Sequence, residues 1–317
     1  MRRTPLVAAA AALVILAALL ATGCGGGSKD AGKSSGTTPD TPRQGPLITI
    51  GTKNFPEQFV LGELYRQSLE ASGFRVRLKS DIGSSEIVDR ALVAGSLDMY
   101  PEYIGVALSE LAGDRRRPSS ARDAYRSAKA FEERRGFTLL AMTPFSDQNA
   151  LAVLPSFAKR HGLHTIGDLA KVPGTVEIAA PPEFRSRFEG LVGLRQIYGL
   201  TRVTVKQLKI GEQYAALDDK KADAANVFTT DGQLTKGGYV LLRDPKSLFT
   251  FQNVAPVIRR DLLRKNPSLA TAINSVSAKL TTSAMRQMNA AVVERGEDPA
   301  AVAEQFLRRV GLMNGSG

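Results

Sequence analysis

From residue 47 onward, short apolar runs alternate with stretches in which apolar residues recur at helical spacing. Glycines and serines mark the ends of these stretches, as turn and cap residues do. The predicted elements are, in order, a strand at 47–50, a helix at 57–72, a strand at 74–78, a helix at 84–95 and a strand at 97–100. Strands joined by connections of helix length lie parallel in one sheet, so this order predicts an α/β fold.

A second set of alternating elements follows in the middle of the chain. It comprises predicted strands at 176–179, 203–205 and 222–228, and a predicted helix at 184–198. Two apolar runs, 149–154 and 254–258, flank this set and are predicted as crossing strands, and the tail at 261–310 is predicted to be helical. This order suits a chain that leaves one lobe, builds another and returns. The predicted divisions are 47–148 for the first part of lobe I, 149–252 for lobe II, and 253–317 for the return to lobe I with the C-terminal helices. Two connections form a hinge, and the cleft between hinged lobes is a natural ligand site.

The first 46 residues have a different character. A short basic start and an apolar run from Pro5 to Ala21 precede Cys24, the only cysteine. Small residues directly before a lone cysteine indicate a lipoprotein signal peptide at 1–23, with Cys24 as the lipidated residue. An ordinary cleaved signal and an uncleaved anchor helix are the alternatives. Residues 24–46 are polar and rich in glycine, and are predicted to be a flexible tether that holds the protein at the outer face of the cell membrane.

Composition narrows the function further. The net charge is +11, but an exported chain with few aromatic residues near its arginine clusters does not fit nucleic-acid binding. Attraction to anionic lipid or wall polymer, or a solvated face, explains the charge better. His161 and His164, the only histidines, lie in one loop without further ligands at metal-binding spacing. No catalytic set built on serine or cysteine can be assembled, so we expect neither an enzyme nor a cofactor or metal.

Two predicted strand ends carry polar and aromatic groups. The segment 51–58 reads GTKNFPEQ, and the segment 95–105 reads GSLDMYPEYIG. Open α/β sheets bind small molecules at such ends. The leading hypothesis from the residues alone is therefore a protein that holds a small ligand.

Three motifs resemble the solute-binding component of osmoprotectant ABC importers, which take up glycine betaine, carnitine or choline. They are the segments 51–58, 91–103 and 228–232. The resemblance implies a type II periplasmic-binding-protein fold, with two α/β lobes joined by a two-strand hinge and closing over one small zwitterion. It also implies a membrane permease and an ATPase as partners. This chain has no Walker-type glycine loop, so the ATPase is a separate polypeptide, and we expect the binding protein to be a monomer.

The resemblance also implies a set of site residues. A trimethylammonium group has no N–H to donate, so aromatic faces are its best partners, whereas a carboxylate suits an arginine or a helix N-terminus. By motif position, Tyr103 matches the box tyrosine, Arg187 the arginine that holds the carboxylate, Lys53 the basic residue of the first turn, and Asp147 the acid at the first crossing. The predicted ligand-binding residues are Lys53, Asn54, Tyr103, Asp147, Asn149, Arg187, Phe228, Thr229 and Gln252.

The chain departs from the family pattern at two box positions. Asn149 and Gln252 stand where tyrosines are usual, while Phe228 supplies an expected aromatic. Each desolvated cation–π contact contributes roughly 2 kcal/mol, so losing two costs about 4 kcal/mol, on the order of a thousandfold in affinity. We therefore expect weak binding of glycine betaine, and favour a ligand with more polar groups around its cation or a larger amino-acid-like betaine. A ligand-sensing subunit, or a binding protein for a non-betaine polar amine or amino-acid derivative, is the alternative function.

Overall fold

The computed structural model describes residues 45–116 and 118–313. The predicted signal peptide, the lipidation site at Cys24 and nearly all of the predicted tether lie outside these residues. Within them, no helix is long and apolar enough to cross a membrane.

The described residues form two five-stranded sheets. The strands are β1 (Leu47–Gly51), β2 (Arg75–Lys79), β3 (Met99–Tyr103), β4 (Phe137–Leu139), β5 (Asn149–Val153), β6 (Val176–Ala180), β7 (Val203–Gln207), β8 (Ala224–Phe228), β9 (Val240–Leu242) and β10 (Val254–Arg259). The first sheet has the order β2-β1-β3-β10-β4 and the second has the order β7-β6-β8-β5-β9. In each sheet three parallel strands come first, and the fourth strand is antiparallel to both of its neighbours. The two sheets thus share one topology, and the α/β prediction is confirmed.

Helices cover the sheets and build their cores. The α-helices are α1 (Pro56–Ala71), α2 (Ser85–Val93), α3 (Ile104–Val106), α4 (Ala121–Arg134), α5 (Pro155–His161), α6 (Gly193–Tyr198), α7 (Glu212–Asp218), α8 (Arg260–Lys265), α9 (Ser268–Ser277), α10 (Thr282–Arg295) and α11 (Pro299–Arg309). Short 3₁₀ helices occur at Ile166–Lys171, Pro182–Arg185 and Gly232–Lys236, and π-helical turns at Ala107–Leu111 and Phe188–Val192. Helices α1, α9, α10 and α11 bury their apolar side chains in one core cluster with β1, β3 and β10. The helical tail is therefore part of the first sheet's core.

Local sequence explains where the helices begin. Pro56 starts α1, where a missing N–H costs nothing. The Thr281 hydroxyl accepts a hydrogen bond from the backbone N–H of Ala284 and caps α10. In the same way, the Asp298 carboxylate accepts hydrogen bonds from two N–H groups of α11. These caps explain why α10 and α11 begin where they do.

One detail of the sequence prediction is wrong. The predicted helix at 184–198 is broken, because Glu189 and Gly190 have non-helical backbone angles and only residues 193–198 form an α-helix. A Cβ at Gly190 would lie 2.2 Å from the Phe184 carbonyl oxygen, so this close backbone approach requires glycine. The predicted crossing strands at 149–154 and 254–258 correspond to β5 in the second sheet and β10 in the first. The chain passes between the sheets just before each of them, where Ser146 and Asn253 form an antiparallel bridge.

The turn after β8 packs tightly against α10. The Asn289 amide donates to the Thr230 carbonyl at 2.9 Å, and Arg286 donates to the Thr229 carbonyl at 2.5 Å. A Cβ at Gly232 would lie 2.5 Å from the Ala290 Cα. The second sheet is thus held against a helix of the first sheet's core by backbone contacts that leave no room for a side chain.

We expect the substitution Gly232→Ala to destabilise the protein by about 1–3 kcal/mol, because the added methyl group meets backbone atoms of α10. The measurement is urea unfolding followed by circular dichroism. Gly167→Ala is the matched control, since its Cβ would have its nearest neighbour at 3.5 Å, an ordinary contact. Equal midpoints for the two variants would contradict the tight packing.

Candidate functional site

One cavity gathers most of the predicted site residues. It has about 610 Å³ of empty space including its mouth. Eight of the nine predicted residues line it: Lys53, Asn54, Tyr103, Asp147, Asn149, Arg187, Phe228 and Gln252. The ninth, Thr229, is not among the lining residues, because its hydroxyl donates to the Ser146 carbonyl at 3.2 Å and accepts from the Gln148 N–H at 3.0 Å. Thr229 therefore connects the chain segments beside the cavity.

The sheet topology explains why these residues meet. Lys53 follows the carboxyl end of β1, and Tyr103 ends the neighbouring strand β3. In the second sheet, Phe228 ends β8 and lies opposite Asn149, the first residue of the antiparallel strand β5. Each sheet thus brings the carboxyl ends of its parallel strands to the cavity, the edge where open α/β sheets bind ligands.

Three aromatic rings line the cavity. The Phe55 ring centroid lies 6.2 Å from that of Tyr103 and 6.2 Å from that of Phe228, with interplanar angles of 18° and 8°. We call these three rings the aromatic wall. Sequence reasoning identified Tyr103 and Phe228 but missed Phe55, although its place between Asn54 and Pro56 in the first motif was a usable signal. The wall offers π faces to a cation.

Lys53 contacts two side chains of the protein, one acidic and one aromatic. Its ammonium forms an ion pair with Glu102 and lies 4.1 Å from the centroid of the Tyr103 ring. The same Glu102 oxygen accepts from the Ser85 hydroxyl at 3.3 Å and from the Tyr103 N–H at 2.7 Å. Burial lowers the pKa of Lys53, and the opposing charge of Glu102 raises it. The pair is neutral overall, so it does not add a net positive charge beside the wall.

Arg187 pairs across the cavity with a residue that sequence reasoning did not select. Its Nη2 atom lies 3.0 Å and 3.1 Å from the two carboxylate oxygens of Glu86, in the first turn of α2. Partial burial alone would raise the pKa of Glu86, but the Arg187 charge holds it below its usual value. This ion pair links the segment after β6 to the helix that precedes β3, and so joins the two sheets at the cavity.

A polar network occupies the positions where tyrosines were expected. The Gln252 amide donates to Glu189 at 2.7 Å, and the Asn149 amide donates to the same carboxylate oxygen at 3.5 Å. The other Glu189 oxygen accepts from the N–H of Thr250 at 3.2 Å and from its hydroxyl. Burial raises the pKa of Glu189, and these hydrogen bonds lower it. Glu189 also lines the cavity and was missed, because it lies in the broken helix.

Asp147 is bound to a threonine hydroxyl group. Its carboxyl group lies 2.6 Å from the Thr230 hydroxyl and is 5% exposed. Among the described residues, no group of three or more His, Cys, Asp or Glu side chains is arranged to hold a metal ion. The chemistry of the cavity is thus that of hydrogen bonds, ion pairs and aromatic faces.

Two lobes of equal topology around such a cavity define the class of periplasmic-type solute-binding proteins, with the type II fold. A family model described as the substrate-binding domain of an ABC-type glycine betaine transport system matches residues 46–309. The chain belongs to this family, whose members bind substrates for ABC transporters.

Individual relatives agree with this assignment. The chain is 32% identical to the glycine-betaine-binding protein of Pseudomonas aeruginosa, over 86% of this chain and 90% of the relative. It is 26% identical to an ergothioneine transport permease/ergothioneine binding protein of Helicobacter pylori, over 84% of this chain but 48% of that longer protein. A crystal structure titled as a glycine betaine/carnitine/choline ABC transporter is 27% identical, with a TM-score of 0.69, and covers 84% of this chain and all of that chain.

Proposed function

We propose that this protein captures a zwitterion with a quaternary ammonium group in the cavity and delivers it to an ABC permease driven by a separate ATPase. In this proposal, residues 47–148 and 253–317 form one lobe and residues 149–252 the other, and ligand contacts on both lobes favour closure. The observation that carries the proposal is the joint presence of an aromatic wall and a paired arginine in one cavity.

The two ends of the ligand have different partners in this proposal. The cationic group contacts Phe55, Tyr103 and Phe228, whose faces need no hydrogen-bond donor. The carboxylate contacts Arg187, with Ser84 and Ser85 nearby at the first turn of α2. The remaining lining residues that we propose as ligand contacts are Lys53, Asn54, Asp147, Asn149 and Gln252.

The polar network bears on which zwitterion is preferred. Gln252 and Asn149 replace two aromatic faces by amide groups that already bind Glu189. A permethylated nitrogen gains nothing from these amides, whereas a ligand with additional polar groups can exchange hydrogen bonds with them. We therefore propose a betaine larger and more polar than glycine betaine as the preferred ligand.

We expect Tyr103→Ala and Phe55→Ala each to weaken binding of a quaternary ammonium ligand about 30-fold, because one cation–π contact of roughly 2 kcal/mol is lost. The measurement is isothermal titration calorimetry with glycine betaine, carnitine, choline and ergothioneine. Tyr239→Ala is the matched control, since Tyr239 packs on Tyr214 and does not line the cavity. Tight glycine betaine binding by the wild-type protein would reject the proposed preference, and unchanged affinities in both variants would reject the aromatic wall.

We expect Arg187→Met to weaken binding of a betaine at least tenfold and to leave choline binding nearly unchanged, because choline has no carboxylate for the guanidinium to hold. Comparing the two probes on one variant separates the loss of a ligand contact from a general loss of structure. The substitution Arg185→Met, at an exposed neighbouring arginine, is the control. A parallel loss of both probes would show that Arg187 does not bind the carboxylate.

We also propose that the protein is exported and attached to the outer face of the cell membrane through a lipid on Cys24. The small residues before this cysteine and the polar segment after it support the proposal. Metabolic labelling with palmitate, followed by membrane fractionation, tests it. Cys24→Ser is expected to lose both the label and the membrane association, and a labelled Cys24→Ser protein would refute the assignment.

A further inference from the structure

Two buried carboxyl groups lie on either side of one hydroxyl group. The Thr230 Oγ1 atom is 2.5 Å from Glu57 Oε2 and 2.6 Å from Asp147 Oδ1. Glu57 belongs to α1, Asp147 to the segment that leads into the second sheet, and Thr230 to the turn after β8. Glu57, Asp147 and Thr230 are 4%, 5% and 1% exposed, so the triad is largely removed from bulk solvent.

Proton counting shows that the triad carries an additional proton. A hydroxyl group has one proton to donate, yet the Thr230 oxygen is within hydrogen-bond distance of two carboxyl oxygens. If both carboxyl groups were ionised, one of these short contacts would join two oxygens with no proton between them. One of the two carboxyl groups must therefore be the donor in its contact with Thr230.

The surrounding donors indicate which group is ionised. Glu57 accepts hydrogen bonds from the Tyr103 hydroxyl at 2.8 Å and from the Asn289 amide at 2.8 Å. Asp147 accepts, besides the Thr230 contact, only a long hydrogen bond of 3.4 Å from the Thr230 N–H among the described residues. Hydrogen bonds to the charged form favour ionisation, so the negative charge resides on Glu57 and the proton on Asp147.

The other charged groups around the triad agree with this assignment. Burial raises the pKa of Asp147 well above its usual range, and the nearby charges of Glu57 and Asp231 raise it further. Burial also raises the pKa of Glu57, while its hydrogen bonds and the charge of Lys53 lower it. Asp231 has a pKa raised to about 6 by burial, which the charge of Arg286 opposes.

We propose that Glu57 is a positioning residue of the binding site, which holds Asp147 in its protonated form through Thr230 and orients the Tyr103 ring through the phenol hydroxyl. The triad then carries one negative charge instead of two. Asp147 lines the cavity whereas Glu57 does not, so Glu57 acts on the ligand through its neighbours. The consequence for binding rests on the proposed function: a ligand with one cationic group meets one negative charge beside the aromatic wall.

The decisive experiment needs no ligand. Protein labelled with carbon-13 at the aspartate carboxyl carbons is titrated by NMR, and Asp147→Asn identifies the Asp147 resonance. We expect this resonance to remain at the carboxylic-acid position at neutral pH in the wild-type protein. In Glu57→Gln the negative charge that raises the pKa of Asp147 is removed, so Asp147 ionises and its resonance moves to the carboxylate position at the same pH. Thr230→Ser retains the hydroxyl group and is expected to behave as the wild type.

Other outcomes overturn the proposal. An Asp147 resonance at the carboxylate position in the wild type, or a midpoint that Glu57→Gln does not lower, contradicts the shared proton. A second measurement covers a variant that fails to fold: unfolding releases the Asp147 proton above about pH 4, so wild-type stability should fall relative to Asp147→Asn as pH rises toward the folded pKa. Stability curves that run parallel in this range count against the proposal.

Glycine betaine and choline serve as probes in the same labelled sample. A cation at the aromatic wall lies near Asp147, so a bound probe is expected to shift the Asp147 resonance. If neither probe gives a binding signal by calorimetry, the proposed ligand class fails for these compounds, while the free-protein titration still decides whether the triad holds its proton. A probe that binds without moving this resonance refutes the link between Glu57 and the ligand.

Discussion

The free-energy cost of burying charge governs this cavity. An ionised group removed from water without a partner costs far more than most single interactions can return. The structure meets this constraint with separate arrangements: Lys53 pairs with Glu102, Arg187 pairs with Glu86, and the Glu189 carboxylate accepts hydrogen bonds from amide and hydroxyl groups. The positions of these charged side chains in the cavity follow from the partners that they require.

These partners are in place before a ligand binds. The affinity for a ligand therefore depends on the difference between the contacts that the ligand forms and the contacts within the protein that it replaces. In the proposed binding mode, a ligand carboxylate competes with Glu86 for Arg187, and a ligand cation shares the Tyr103 ring with the Lys53 ammonium. A partner that is displaced must find another donor or acceptor, or the net gain is small. Selectivity therefore depends on how well a ligand replaces both existing contacts at once.

The site residues that lie at the ends of strands could be predicted from the sequence. Lys53, Tyr103 and Phe228 directly follow or end strands, and parallel strands bring such residues to one edge. The ion-pair and hydrogen-bond partners of the site residues could not be predicted from the sequence, because they depend on tertiary packing. Arg187 and Glu86 are 101 residues apart, and Thr230 and Glu57 are 173 residues apart.

The broken helix is a second case in which a tertiary contact could not be predicted from the sequence. Apolar spacing predicted a continuous helix at 184–198. The helix is broken where the backbone of Gly190 approaches the Phe184 carbonyl, and Glu189 at this break lines the cavity.

The two sheets also share one strand order, which bears on how a ligand is oriented. Both sheets present the carboxyl ends of parallel strands to the cavity, so the strand order by itself does not decide which way round a molecule with unlike ends is held. The orientation of such a molecule is set instead by the side chains and helix ends that differ between the two halves, such as the first turn of α2 and the broken helix at 184–198.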